Sequence, residues 1–465
     1  TPNFGYASDD SNSLYSVFGS VNYSFQSKYL LSATLRRDTS SRFIGDNKSD
    51  TFPSLSAGWV ISEEDFFNND GVVNRLKLKG SWGQLGNQTI PGNNPTRNIS
   101  SLSLSQANYA FNGDDALTTG AILSSVGNPD LKWETSTSVN AGFELGLFDN
   151  ALNFSFEYFK LTTNDLISQD NSLISTTAID ASAPFVNLGS VENTGFDVSL
   201  GYQKQTESGF SYGIEGNISS YDNEVTELVS AFQSGSSAFR GGAVTRTQVG
   251  QPISSFFGRE VTGFDDEGRF TYRDVDGNGT INDDDRTFIG SPHPDFTYGL
   301  NLNFAYKNFD VSAFFQGSQG NDIYNYTKVF TDFPTFFNGN RSTRVLDSWT
   351  PDNTDATLPA LGNAIVNNEA DPNSYFVEDG SYLRLKNLQI GYNLPESILE
   401  KTGMKGVRFY VQASNLFTIT GYNGVDPEVQ PIFNSDGSTD NLTVGVDFGS
   451  YPIARIFTLG TNLKF

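Results

Sequence analysis

The chain has 465 residues and a formal net charge of −24 at pH 7, with 53 Asp and Glu against 29 Lys and Arg. Nothing in that balance would neutralise phosphates, so a nucleic-acid partner is excluded. There is no cysteine and a single histidine, which excludes disulfides, thiolate nucleophiles, Cys-ligated zinc and histidine clusters.

No run of roughly 18 apolar residues is present, so no transmembrane helix is expected. The strands of a transmembrane barrel need only about 9–11 alternating residues and escape that test. Aromatic content is 14%, with 39 Phe, 20 Tyr and 45 Gly. Such a mixture suits strands that are greasy outside and small and polar inside. The first residues, Thr1-Pro2-Asn3-Phe4-Gly5, have neither the basic start nor the apolar core of a signal peptide. An outer-membrane protein carries one when made, so the expectation is a processed chain or a fragment.

Period-two alternation runs from end to end. Val17, Val21 and Tyr23 share one face, and Tyr29, Leu31, Ala33 and Leu35 the next. Leu55, Ala57, Trp59 and Ile61 follow, then Leu76, Leu78 and Trp82. Val139, Ala141, Phe143, Leu145 and Leu147 precede a tight turn at Asp149-Asn150, and Leu152, Phe154, Phe156 and Tyr158 return. Phe196, Val198, Leu200 and Tyr202 are answered by Phe210, Tyr212 and Ile214. The clearest face is Tyr298, Leu300, Leu302, Phe304 and Tyr306, with aromatics at both ends, as an interfacial girdle requires. Phe309, Val311, Ala313 and Phe315 come after Lys307-Asn308. Leu383 and Leu385 start another face that switches to Leu388, Ile390 and Tyr392, and this slip predicts a β-bulge near Asn387. Val407, Phe409, Val411 and Ala413 precede the last strand. There Phe457, Leu459, Thr461, Leu463 and Phe465 alternate with polar residues up to a terminal aromatic.

These make about thirteen strands. Their connections sort by strict alternation. Gln26–Lys28, Phe148–Asn150, Lys204–Gly209 and Lys307–Asn308 are short, and Glu63–Asn74 and Pro395–Gly406 somewhat longer. Asp38–Ser54, Gly86–Lys132, Asn164–Glu192, Thr226–Phe296, Asn321–Ser381 and Thr420–Ala454 are long. Short turns at one rim and long loops at the other are the outer-membrane pattern, with the long side extracellular. A soluble β-sandwich also alternates, but its connections would not segregate so cleanly. The expected fold is therefore all-β, a transmembrane antiparallel β-barrel with long extracellular loops. Thirteen is odd where bacterial single-chain barrels are even, which points to missing N-terminal parts.

Within the large loop 226–296, Asp274 to Asp285 match an EF-hand-type calcium loop. Asp274, Asp276 and Asn278 take the first, third and fifth positions, Gly279 supplies the sharp turn, and Thr280 would offer its backbone carbonyl. Asn282 sits ninth and Asp285 twelfth, where the shorter Asp replaces the usual Glu. A Ca2+ here would be structural, pinning an exposed loop. The same spacing also suits an acidic Asx-turn hairpin without metal. His293, between Pro292 and Pro294, reads as a rigid turn residue rather than a catalyst. Glu63-Glu64 and Asp9-Asp10 read as solvated turns, so no catalytic centre and no enzyme is expected. The loop aromatics Tyr109, Phe111, Phe232 and Phe239 suit either ligand stacking or packing of loop against loop.

Asn128-Pro129-Asp130-Leu131-Lys132-Trp133-Glu134-Thr135 resembles a signature of SusC/RagA-like TonB-dependent transporters of Bacteroidetes. So do the calcium-type loop running into Asp285-Arg286-Thr287-Phe288-Ile289-Gly290-Ser291-Pro292-His293-Pro294-Asp295-Phe296, and the segments 345–351, 381–388 and Ala413-Ser414-Asn415-Leu416-Phe417. The resemblance implies a barrel of about 22 strands with an N-terminal plug. It also implies a TonB-interacting segment and a SusD-like surface lipoprotein as lid. Residues 1–465 would be the C-terminal barrel portion, without the plug or the N-terminal strands. The function implied is TonB-dependent uptake of oligosaccharides or oligopeptides across the cell outer membrane. Two other readings are a surface adhesion or scaffold barrel without transport, and a secreted calcium-binding β-protein.

Overall fold

The computed structural model describes residues 11–68, 71–90, 95–110, 117–169, 181, 183–235, 239, 241–333, 339–361, 369–400, 403–432 and 440–465. Thirteen strands form one antiparallel sheet, each bonded to its neighbour in the sequence. They are β1 (Leu14–Phe25), β2 (Tyr29–Ser40), β3 (Ser49–Val60), β4 (Val73–Asn87), β5 (Glu134–Leu147), β6 (Leu152–Asn164) and β7 (Gly189–Gln205). The remainder are β8 (Phe210–Leu228), β9 (Phe296–Tyr306), β10 (Phe309–Gln319), β11 (Tyr382–Asn393), β12 (Gly406–Thr420) and β13 (Ile456–Lys464). Strands β1 and β13 are the edges of the sheet.

The alternation sets the two faces. Val21, Leu35, Leu55, Trp82, Val139, Leu200, Ile214, Ile390, Val411 and Leu459 stand exposed on the outer face. In water such a continuous apolar band would be a liability; against lipid it is the required surface. At the short-turn rim, rings meet across strands. Phe210 stacks on Phe304 at 6.3 Å, and Phe309 tilts against Tyr392 at 4.8 Å. The inner face is polar. Lys79 pairs with Glu157 at 2.5 Å, Lys77 with Glu144 at 3.4 Å, and Lys160 with Glu192 at 2.7 Å.

The first turn shows why its register holds. Gln26 and Ser27 both take positive φ, 52° and 56°, and Lys28 N–H donates to the Phe25 carbonyl at 3.0 Å. Two such residues give the twist that matches two antiparallel strands. The predicted slip near Asn387 is present as a register shift between Leu385 and Asn387, with Lys386 as the extra residue. Facing it, Asn415 sits in the left-handed region at φ 53°, a conformation Asn tolerates well.

One expected long loop is short. Strands β2 and β3 stay paired as far as Thr39 and Ser49, leaving only residues 41–48 where the alternation predicted 38–54. Thr39, Ser40, Asp50 and Thr51 are polar, so the apolar pattern ends there although the ladder continues. Above the membrane a strand no longer needs a greasy face.

Candidate metal centre and the extracellular module

The long loops pack into folded units. Phe239, Val244, Phe256 and Phe270 from loop 229–295 share one buried core with Tyr324, Tyr326, Val329, Phe333, Ala370 and Phe376 from loop 320–381 and with Val446 from loop 421–455. A small sheet ties two of these loops: Asp322–Asn325 pairs antiparallel with Val377–Asp379 and parallel with Val446–Asp447. Apolar burial on this scale offsets the chain entropy lost when the loops are ordered. Phe239 is spent in that core, 4.8 Å from the Tyr326 ring, and Phe232 lies under Arg246. Phe239 thus packs loop against loop, while Phe232 contacts an arginine of its own loop and stays 42% exposed. Phe111 and the side chain of Tyr109 lie outside the described residues.

A second core sits over the other end of the sheet. Phe43, Phe52, Ile90, Leu131 and Trp133 are buried together, with Ile167 and Phe185 against them. The Trp133 ring lies 5.1 Å from Phe43 and 5.7 Å from Phe52. Its indole N–H donates to the Asn47 carbonyl at 3.0 Å. The Asn128 side chain donates to the Phe185 carbonyl at 3.0 Å and accepts from Asp130 N–H at 3.0 Å. The segment from Asn128 to Glu134 is therefore a knot that fastens several loops to one point.

The acidic loop lies in the first module. Oxygens of Asp274, Asp276 and Asp285 lie within 4.8 Å of one another. Asp274 and Asp276 are exposed, while Asp285 is fully buried. Backbone donors shape the loop: Gly277 and Gly279 donate to Asp274 at 2.7 and 2.8 Å, and Asn278 donates to Asp276 at 3.0 Å. Gly277 and Gly279 take φ of 73° and 82°, which a Cβ would strain. Asn282 caps the short helix Asp283–Asp285 and accepts from Asp284 N–H, while the Asp285 carboxylate accepts from Asn282 and Val275 at 2.8 Å each. Those N–H groups of Asn282 and Val275 hold the Asp285 carboxyl below the usual carboxylate range. The side-chain oxygen of Asn278 is turned to Thr280 N–H at 2.7 Å, and that of Asn282 to Asp284 N–H at 2.6 Å. The structure thus gathers Asp274, Asp276 and Asp285, while Asn278, Thr280 and Asn282 are engaged in local turns. Three carboxylates on one point make a donor set of the kind a hard cation takes.

His293 is a structural brace. Its Nε2 lies 3.0 Å from the Ile253 carbonyl and its Nδ1 3.3 Å from the Tyr221 hydroxyl. The Ile253 carbonyl can only accept, so Nε2 carries a proton, while the Tyr221 hydroxyl can donate to or accept from Nδ1. Burial pushes its pKa below the ordinary value.

Two buried groups take roles that no spacing in the sequence signals. Arg384 on β11 is buried and donates to Asp426 at 2.6 Å, and it also pairs with Glu428. Lys386 adds a contact to Glu428 at 2.6 Å and Tyr382 another at 3.0 Å. Loop 421–455 is thereby tied to the inner wall beside the bulge. Glu369 is fully buried, accepts from Phe270 N–H at 2.9 Å, and leaves Oε2 without a partner among the described residues. Burial raises its pKa to about 7.

The family model for the TonB dependent receptor-like beta-barrel matches residues 1–416. The chain belongs to this family. Among curated relatives, this receptor barrel is 37% identical to TonB-dependent receptor P3 of Formosa agariphila, over 97% of the chain and 45% of that protein. It is 31% identical to TonB-dependent receptor SusC of Bacteroides thetaiotaomicron, over 98% of the chain and 44% of that protein. The solved structure of the RagAB peptide transporter superposes with a TM-score of 0.80 at 27% identity, over 98% of the chain and 47% of that one. The chain spans a little under half the length of the relatives it matches. The receptor barrel is thus SusC/RagA-like, a component of the outer membrane, in a family of transporters and receptors rather than enzymes.

Proposed function

We propose that this barrel forms the channel wall of an active importer. It would take up oligosaccharides or oligopeptides through TonB, with a SusD-like lipoprotein as its lid. The observation that carries this reading is the pairing of a polar inner face with a folded extracellular module anchored to it by Arg384 and Asp426. A lumen of charged and small residues suits hydrated cargo, and a packed rim gives a lid something rigid to seat on. No residue of the barrel is assigned a catalytic role.

The test is deletion of the whole gene in its host, with growth measured on oligosaccharide and oligopeptide carbon sources and compared with a strain lacking TonB. Loss of growth on the same sources in both strains supports import. Unchanged growth on every source, with the protein still at the surface, favours a scaffold barrel instead.

The acidic loop we assign to calcium. Asp274, Asp276 and Asp285 would supply carboxylates, with Asn278, Thr280 and Asn282 completing the oxygen set. The ion would lock the loop to the buried Asp285 and so stiffen the module. Metal analysis of the purified protein after exposure to calcium should find it bound. An Asp274→Ala/Asp276→Ala variant should lose it. Equal calcium in both proteins would refute the assignment.

A further inference from the structure

Two arginines in the first module make no ion pair among the described residues, although Asp283 and Asp371 lie near enough to Arg286 to favour its charge. Arg246 lies on the short strand Thr245–Thr247, paired with Ser255 at the start of Ser255–Arg259. Its guanidinium carbon sits 3.5 Å from the Phe257 ring centre and 4.1 Å from that of Phe232. Arg286, at the start of Arg286–Gly290, lies 5.4 Å from the same Phe257 ring. Its Nη2 donates to the Ala243 and Phe257 carbonyls at 3.0 and 3.3 Å.

The neighbouring acids are already engaged. Asp283 and Asp371 pair with Arg259 at 3.1 and 3.4 Å. Among the described residues, neither Arg246 nor Arg286 has a carboxylate at ion-pairing distance. The Nε atoms of both are buried and have no acceptor among the described residues. Burial and the nearby Arg286 charge both act against the charge on Arg246. A folded protein seldom leaves buried guanidinium donors unpaired beside a like charge, and each such group costs free energy until an acceptor arrives. Contact with two rings restrains the Arg246 guanidinium, which favours a two-pronged acceptor. Phe232 is the open wall: it is 42% exposed and precedes the two-residue strand Gln233–Ser234.

We propose that Arg246 and Arg286, with Phe232 and Phe257, form a binding subsite for an oxyanion group, a carboxylate or a sulfate, on a soluble ligand. The rings would contact the apolar or sugar face beside the anionic group. The surrounding chain carries −24, which repels anions at long range. Capture of an acidic ligand by this molecule therefore needs a local excess of positive charge, and this cluster supplies one. The inference concerns binding and does not depend on import being energised.

The test uses the full-length receptor in detergent with calcium present throughout. Binding is measured by calorimetry with sodium sulfate, glucuronate and N-acetylglycine at matched ionic strength, with glucose as the neutral control. Saturable binding of at least one anion, absent for glucose, is expected. The responding anion distinguishes a sulfated ligand, an acidic sugar and a peptide carboxylate. Arg246→Gln should weaken that binding at least about tenfold, the effect of losing a charged hydrogen bond. Arg246→Lys keeps the charge without the planar fork and should fall between, with an unchanged melting temperature in the absence of ligand. Failure of all three anions to saturate the wild type overturns the proposal. So does equal affinity in a well-folded Arg246→Lys and wild type together with an Arg246→Gln variant that binds as tightly.

Discussion

Arg384 on β11 and Asp426 in loop 421–455 meet at 2.6 Å, and both side chains are almost wholly buried. Glu428 joins from the same loop, so one strand residue holds two acids. Burying charges costs desolvation that their mutual contact must offset, and removing one partner leaves the others stranded.

The Arg384→Ala variant should therefore lose about 3–5 kcal/mol of local stability. Limited proteolysis of the intact receptor should show cleavage in loop 421–455 that the wild type resists. An unchanged digestion pattern would mean that the small sheet with Val446–Asp447 holds the loop unaided.

Trp133 is 3% exposed and closes the second core between Phe43 and Phe52. Trp133→Ala removes both ring contacts and leaves the Asn47 carbonyl without its donor. A loss of about 3–5 kcal/mol is expected in urea unfolding of the refolded protein. Trp133→Phe, which keeps a ring and drops the N–H, should cost distinctly less. Equal losses in the two variants would contradict this account of the knot.

The His293 brace should weaken in acid. Its folded pKa lies below the ordinary 6.5, so as pH falls below that value the unfolded chain takes up a proton that the folded one resists. Stability is full above the ordinary pKa and is lost as pH falls through the folded value. His293→Gln should flatten that part of the melting-temperature profile between about pH 7 and 5. A wild-type profile already flat there would oppose it.

Glu369 runs the other way. Its folded pKa of about 7 lies above the ordinary 4.5, so its stability contribution is full at low pH and is lost as pH rises through 7. Glu369→Gln keeps the acceptor toward Phe270 and removes the charge. At about pH 8 it should raise stability by on the order of 2–3 kcal/mol, with little gain near pH 5. A destabilised variant at both values would show that the carboxylate has a partner role.

The strands were legible because lipid imposes a simple rule on them. In Tyr298 to Tyr306 every second residue must be greasy, and the structure keeps that register residue for residue. The bulge was legible for the same reason, as a one-step slip at Lys386. The closeness of Asp274, Asp276 and Asp285 follows from their spacing in one tight loop, and their oxygens lie within 4.8 Å of one another. The loop cores were not legible. Phe239, Tyr324, Phe376 and Val446 are far apart in sequence and follow no period, so only tertiary packing makes them neighbours. Arg384 is one polar position on a barrel strand, and no sequence spacing links it to its acids, which lie on another loop.

The most direct test of the account is which rim faces the cell exterior. These 465 residues hold no cysteine, so an introduced cysteine is unique within them, and the unsubstituted receptor serves as the labelling background. Leu346→Cys lies in loop 320–381, and the native side chain there is 86% exposed; Ser208→Cys lies in the short turn between β7 and β8. In whole cells a membrane-impermeant maleimide should label Leu346→Cys and reach Ser208→Cys only after the outer membrane is broken. Labelling of Ser208→Cys in intact cells, with Leu346→Cys protected, would contradict the orientation on which the importer reading rests.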